Sequence, residues 1–230
     1  NNLLFTEHKL GPITLRNRAI RSAAFENMAY GNKPSEDLYN YHTAVARGGA
    51  AMTTVAYCSV TRSGVSFDGQ LYIHDEIKED LRKLTDGIHA EGAKASIQLG
   101  HCGNMTHFYT CNCLPVGAST GFNLYSPTLH RKLKKEEIKE IVKAFGHAVD
   151  FCRECGATFL LRGVRNAVDF EYEHNMQLIN ERLYPELTTV LFFTPPRYAA
   201  ISSSIVRELV YFGGDPTQFM PEEVDLKNYL

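Results

Sequence analysis

Short, continuous apolar runs alternate with longer amphipathic ones along most of this 230-residue chain, and that alternation restricts the fold more than any other feature. AAMTTVAYCSV (50–60) reads as a strand buried on both faces and KASIQLG (94–100) as the next buried strand, with further strands at ATFLLRG (157–163) and TTVLFF (188–193). AIRSAA (19–24) adds a short strand, and HKLGPITLRNR reads as a hairpin turning at Gly11-Pro12. Helical signals fill the gaps. PSEDLYNYHTAVARGG opens on Pro34-Ser35 and stops at Gly48-Gly49. DEIKEDLRKLTDGIHAEG (75–92) sets Ile77, Leu81, Leu84 and Ile88 at helical spacing, and KKEEIKEIVKAFGHAVDFCRECG (134–156) is amphipathic throughout. Further helices are expected around 169–183 and from near Ser202.

This β-α-β order, with right-handed crossovers, predicts an α/β fold: one open parallel sheet of about five strands with helices on its faces. A closed eight-stranded barrel needs eight such units and typically about 250 residues, so five strands cannot close that way. Residues 101–133 read as a long polar connection, a kind of loop that is more often functional than idle.

Composition sets the outer limits. With 44% hydrophobic and 22% charged residues, the chain reads as a soluble globular protein of one large or two small domains. A net charge of −2 gives no general reason to bind nucleic acid or an anionic membrane. No run approaches the roughly 18–20 apolar residues of a membrane span. NNLLFTEHKLG is too polar for a secretory signal, and Asn1 in place of an initiator methionine gives the expectation of a trimmed start. The six irregularly spaced cysteines suit reduced thiols and a cytoplasmic location. Cys152 and Cys155 form a CxxC within a helical pattern with no second pair, and Cys111 and Cys113 near His101 and His107 read as loop residues, so no metal is expected.

Two family resemblances divide the chain near residue 157. LLFTEHKLGPITLRNRAIRSAAFENMA, YHTAVARGGAAMTTVAYCSV, IHAEGAKASIQLGHCG and PVGASTG followed by KKEEIKEIVKAFGHAV occur in the order of the old yellow enzyme family. Over roughly residues 3–157 the chain resembles the N-terminal half of these flavin-binding barrels. The resemblance implies flavin mononucleotide as cofactor, with backbone at Ser22, Ala23 and Ala24 meeting the isoalloxazine. It also implies Ala56 at the second strand end, Gln98 on the polar edge of the ring, and His101 in the family's H-x-G-R run, where Asn104 replaces the Arg. The family's substrate-orienting His pair belongs just after the fourth strand, where this chain has RGVRNAVDF. The sixth-strand Arg and the phosphate loops after strands seven and eight are also missing, and these supply much of the cofactor affinity in such barrels.

RGVRNAVDFEYE and ISSSIVRE, inside the run 157–224, resemble the C-terminal half of phosphopantetheine adenylyltransferase. That resemblance implies Arg162 and Asn180 on a phosphopantetheine-like ligand and Arg165 and Glu173 on ATP. It also implies Ser202, Ser203 and Ser204 at a helix start that favours phosphate oxygens. For the serines alone, N-capping is the commoner role; the paired arginines favour an anion site. The family's Gly-rich nucleotide turn and its His are absent from residues 1–156, which removes the main stabilisation of adenylyl transfer.

The join AVDFCRECGATFLLRG falls at a helix–Gly–strand step common to both families. The segments 1–157 and 158–230 are expected to share one sheet rather than form independent domains. The reading is an engineered chimera that binds a small phosphorylated or nucleotide ligand with little or no catalysis; natural fusion and an assembly artefact are the alternatives. The rival functions are a flavin-dependent oxidoreductase, an adenylyltransferase of coenzyme A biosynthesis and a scaffold without ligand. Unpaired strand edges favour self-association.

Overall fold

The computed structural model describes residues 3–124, 127–195, 201, 203–215 and 217–219. The chain divides into two compact units, Asn1–Thr158 and Phe159–Leu230.

The first unit opens with the expected hairpin. β1 (His8–Leu10) pairs antiparallel with β2 (Ile13–Leu15), with Leu10 opposite Ile13. Gly11 makes the turn at φ 55°, a conformation that costs glycine nothing because it has no Cβ. β3 (Ile20–Arg21), β4 (Met52–Ser59), β5 (Leu71–Tyr72) and β6 (Lys94–Gly100) form a four-stranded parallel sheet. Met52 pairs with both Ile20 and Lys94, which puts β4 in the centre with β3 and β6 on either side.

α1 (Glu36–Arg47) and α2 (Lys78–Ala90) connect these strands. Ser35 caps α1 by accepting the Leu38 N–H at 3.1 Å, which satisfies a donor that has no partner within the helix. Ile77, Leu81, Leu84 and Ile88 are all buried, as their spacing predicts. They pack with Leu38, Ala46, Val55, Cys58 and Phe151 of α4 (Lys135–Glu154) into the main core. Each Val, Leu, Ile or Phe among them contributes roughly 1.5–3 kcal/mol by leaving water.

The other face of this sheet is polar and open. Thr54 Oγ1 meets Ser96 Oγ at 2.8 Å, Gln98 is exposed, and the β3 residue Ile20 is 39% exposed. In a closed barrel that face would be filled by layers of bulky side chains.

Residues 101–133 are more ordered than their polarity predicts. They carry α3 (Phe108–Cys111), β7 (Val116–Gly117), β8 (Gly121–Asn123) and β9 (Thr128–Lys132). β9 pairs parallel with β7 and antiparallel with β8. Strands of two to five residues are too short to leave a hydrophobic period, and these pair with one another inside the connection, from Asn123–Thr128 out to Val116–Arg131.

The second unit is a β-α-β arrangement. β10 (Phe159–Val164) pairs parallel with β11 (Thr188–Phe193) across α5 (Ala167–Leu183), in register from Phe159–Thr188 to Val164–Phe193. α6 (Ser203–Tyr211) follows. α5 is apolar on several sides, and its Val168, Tyr172, Leu178 and Ile179 are exposed. A helix of that kind normally lies inside a larger core.

The α/β class and the open parallel sheets agree with the sequence. The described parallel strands form a four-stranded sheet and the short β7–β9 pair in the first unit, and a two-stranded sheet in the second. Periodicity identifies a strand, but its ladder partner depends on backbone hydrogen bonds between distant segments.

Candidate functional site

The site in the first unit is built on an irregularity in β4. Val55 pairs with Ile97 and Cys58 with Leu99, so Ala56 and Tyr57 together face the single residue Gln98. Two residues opposing one is a β-bulge, a device that re-aims side chains at the end of a strand. The Ala56–Tyr57 peptide within it is cis.

Buried charge holds the bulge. The Glu26 carboxylate accepts the Ala56 N–H at 3.1 and 3.3 Å and pairs with Arg21 Nη1 at 2.5 Å. Arg21 also donates to the carbonyls of Ala24, at 2.9 Å, and Thr54. Its guanidinium sits 5.1 Å from the centre of the Tyr41 ring. His42 lies with Nε2 3.3 Å from Glu26 and Nδ1 2.7 Å from Thr53 Oγ1. The Glu26 side chain is 3% exposed and that of His42 is fully buried. The sequence reading missed all three residues. Their signals were an acid inside the apolar run AAFENM and a histidine four positions after Leu38 on the buried face of α1.

The residues expected at a flavin fall around this bulge. Ser22, Ala23 and Ala24 follow β3 directly; Ala23 is half-buried and the other two are exposed. Ala56 is buried in the bulge itself, and its N–H is already satisfied by Glu26. Gln98 stands opposite with an exposed side chain that makes no hydrogen bond to the described residues. Beyond it, a Cβ placed on Gly100 would meet nothing within 4 Å. Small side chains thus end three adjacent strands beside one free amide, a donor set that fits the flat ring of a flavin and its polar edge.

His101 is turned elsewhere. Its Nδ1 accepts the Gly103 N–H at 3.1 Å, so Nε2 carries the proton and donates to Ser63 Oγ at 3.2 Å. Burial lowers its pKa and favours the neutral ring. Gly64 makes room for it, since a Cβ there would come within 2.7 Å of the imidazole. Asn104 lies in the short helical turn that follows, Gly103–Met105.

In the second unit, a cavity of about 250 Å³ lies where β10 and β11 end and α5 begins, between Val164–Ala167 and Phe193–Thr194. Asn166 caps α5 by accepting the Asp169 N–H at 2.9 Å. Both expected arginines already hold carboxylates. Arg162 makes a two-pronged contact with Glu173 at 2.6 Å on each arm, and Arg165 Nε reaches Asp169 at 2.8 Å. The hydrogen bond from Arg165 holds the Asp169 carboxyl below the usual carboxylate range. Asn180 is on the same helix, roughly 20 Å beyond its start at 1.5 Å per residue. Ser203 and Ser204 are the first residues of α6, and Ser202 lies outside the described residues.

The six cysteines are free thiols, and no cluster of three or more His, Cys, Asp or Glu among the described residues could hold a metal ion. No described helix is long and apolar enough to cross a membrane.

The family model of NADH:flavin oxidoreductase / NADH oxidase matches residues 3–160. The chain belongs to that family. It is 34% identical over 184 residues to 4,4'-dithiodibutanoate disulfide reductase of Rhodococcus erythropolis, covering 80% of this chain and 43% of the relative. A different segment is similar to phosphopantetheine adenylyltransferase. The enzyme of Heliobacterium modesticaldum is 48% identical to it over 79 residues, which is 34% of this chain and 47% of that protein. The chain therefore spans less than half the length of these two curated relatives. Among solved structures, an old yellow enzyme homologue from Zymomonas mobilis superimposes with a TM-score of 0.62 at 20% identity, over 70% of this chain and 48% of that one. That likeness concerns the fold.

Proposed function

We propose that the first unit binds the isoalloxazine ring of flavin mononucleotide at the ends of β3, β4 and β6, and that the chain turns over little or no substrate. The observation that carries this reading is the bulge at Ala56–Tyr57, pinned by the Glu26–Arg21 pair opposite the free Gln98 amide. When bound, the flavin supplies the capacity to take up and give up hydride. The protein's part is to hold the ring: Ser22 through Ala24 and Ala56 offer small side chains against it, and Gln98 fixes its polar edge.

Low turnover is expected because the residues that orient a substrate carbonyl in the family are replaced along the chain. The family's carbonyl-orienting pair belongs where this chain has Arg162 to Phe170, and both arginines there are committed to Glu173 and Asp169. The change of resemblance near residue 157 supports a chimeric origin; there α4 ends at Glu154, and Gly156, at φ 92°, precedes β10. A second reading, phosphate or nucleotide binding in the second unit, is favoured by the cavity at the start of α5, where free N–H groups attract anions.

The test is a visible absorbance spectrum of the purified protein before and after adding flavin mononucleotide and desalting. A retained flavin band that Gln98→Ala weakens supports the ring site. A colourless protein whose presence leaves flavin fluorescence unchanged refutes it. Binding of inorganic pyrophosphate by that same colourless protein would then move the anion site to first place.

A further inference from the structure

β6 stands at the rim of the four-stranded sheet. Among the described residues it pairs with β4 alone, so one of its two edges has no strand beside it. The direction of each backbone group along β6 follows from its ends. The Lys94 N–H donates to the Ala51 carbonyl at 2.8 Å, and the Gly100 carbonyl accepts the Val60 N–H at 3.0 Å. Both bonds run towards β4. Backbone groups alternate between the two sides of a strand, so Lys94, Ser96, Gln98 and Gly100 address β4. Ala95, Ile97 and Leu99 therefore aim both their N–H and their C=O at the open edge.

The side chains mark the same gap. Ala95, Ile97 and Leu99 pack against the main core, yet each is only half-buried. In the neighbouring β4, Met52, Val55 and Cys58 are 3% exposed or less. Natural sheets blunt a free edge with proline, a bulge, an inward charge or a very short strand. β6 has seven residues and no proline, the bulge of this pair is on β4, and its one charge is Lys94 at the first position.

The sequence of β6 complements itself when reversed. With two copies antiparallel and Ile97 on a two-fold axis, Ile97 faces Ile97, Ala95 faces Leu99 and Ser96 faces Gln98. Outward-facing residues then oppose outward-facing residues, the arrangement in which an opposed pair exchanges both of its hydrogen bonds. Apolar side chains meet on the helix-covered face and polar ones on the other. Lys94 falls opposite Gly100, whereas a parallel pairing in register would set Lys94 against Lys94. A two-fold contact uses the same surface on both copies, so it closes at a dimer.

We propose that a second copy of this chain pairs with the open edge of β6, antiparallel and centred on Ile97, and joins the two four-stranded sheets into one. The inference does not rest on flavin binding, because the bonds it uses are the outward backbone groups of Ala95, Ile97 and Leu99.

The test follows the full chain by sedimentation velocity over a range of concentrations, beside Ala95→Pro. Proline removes the Ala95 N–H, which points away from β4, so the internal ladder is kept. The change acts once in each copy and should weaken the dimer by at least about tenfold. A parent chain that stays monomeric at every concentration overturns the proposal, as does a dimer that Ala95→Pro leaves equally tight. Should Ala95→Pro fail to fold, amide exchange of the parent chain followed by NMR decides. Exchange at Ala95, Ile97 and Leu99 that is slow in the dimer and quickens as dilution dissociates it, while Ser96 and Gln98 stay protected, supports the pairing. Fast exchange at those three amides in the dimer overturns it. Slow exchange there in a monomeric sample overturns it too, since a strand of the same chain would then cover the edge.

Discussion

Glu26→Ala is the most informative single change in the first unit. The Glu26 carboxylate is 3% exposed, pairs with Arg21 at 2.5 Å and accepts the Ala56 N–H at 3.1 and 3.3 Å. Truncation leaves a guanidinium with 15% exposure without its counter-charge, and a bulge N–H without its acceptor. Breaking a buried pair from one side typically costs about 3–5 kcal/mol, because the remaining charge stays desolvated. For a chain of this size, 1 kcal/mol moves the melting temperature by roughly 2–4 °C, so a drop of roughly 6–20 °C is expected. Glu26→Gln keeps an acceptor for Ala56 and loses only the charge; its cost should be about 1.5–3 kcal/mol. Thermal melts followed by circular dichroism, with urea titrations at matched slope, measure both. Hydrogen exchange at the Ala56 amide should accelerate in Glu26→Ala while the Thr53–Ala95 ladder stays protected. A loss below about 1 kcal/mol in Glu26→Ala would refute the reasoning, since it would mean that water replaces the carboxylate at little cost.

Two further outcomes are expected. Glu137 is held at about 2, below the ordinary 4.5, first by its hydrogen bond from Arg131 and then by the Lys134 N–H. Its folded pKa lies below its unfolded one, so its contribution to stability is full above pH 4.5 and disappears as pH falls towards 2. An NMR titration should place the Glu137 carboxyl midpoint near 2, and Glu137→Gln should flatten the pH dependence of stability across that window. In the second unit, Asp169→Asn removes the anionic partner of Arg165, which lines the cavity. Calorimetric titration with inorganic pyrophosphate should show affinity several-fold above that of the parent chain, and no gain would mean that the Arg165 guanidinium takes no part in holding an anion there.

The legible parts of the fold were those written in local pattern. Ile77, Leu81, Leu84 and Ile88 repeat with the helical period and are buried as that period requires. Ser35 caps α1, and Gly11 turns the hairpin. Of the site, sequence could name Ala56 and Gln98 only through resemblance. That they face each other depends on the slip in register between Val55 and Cys58, which no local pattern encodes.

What the sequence determined by itself was therefore the longer helices and strands, the α/β class and the change of family near residue 157, because propensity, capping and hydrophobic period act within a few residues. The tertiary structure alone decided which strands pair, that Arg21, Glu26 and His42 meet beneath the bulge, and that Arg162 and Arg165 spend their charge on Glu173 and Asp169. Ion pairs, ladder hydrogen bonds and cavities depend on distance in space, and separation along the chain does not set that distance.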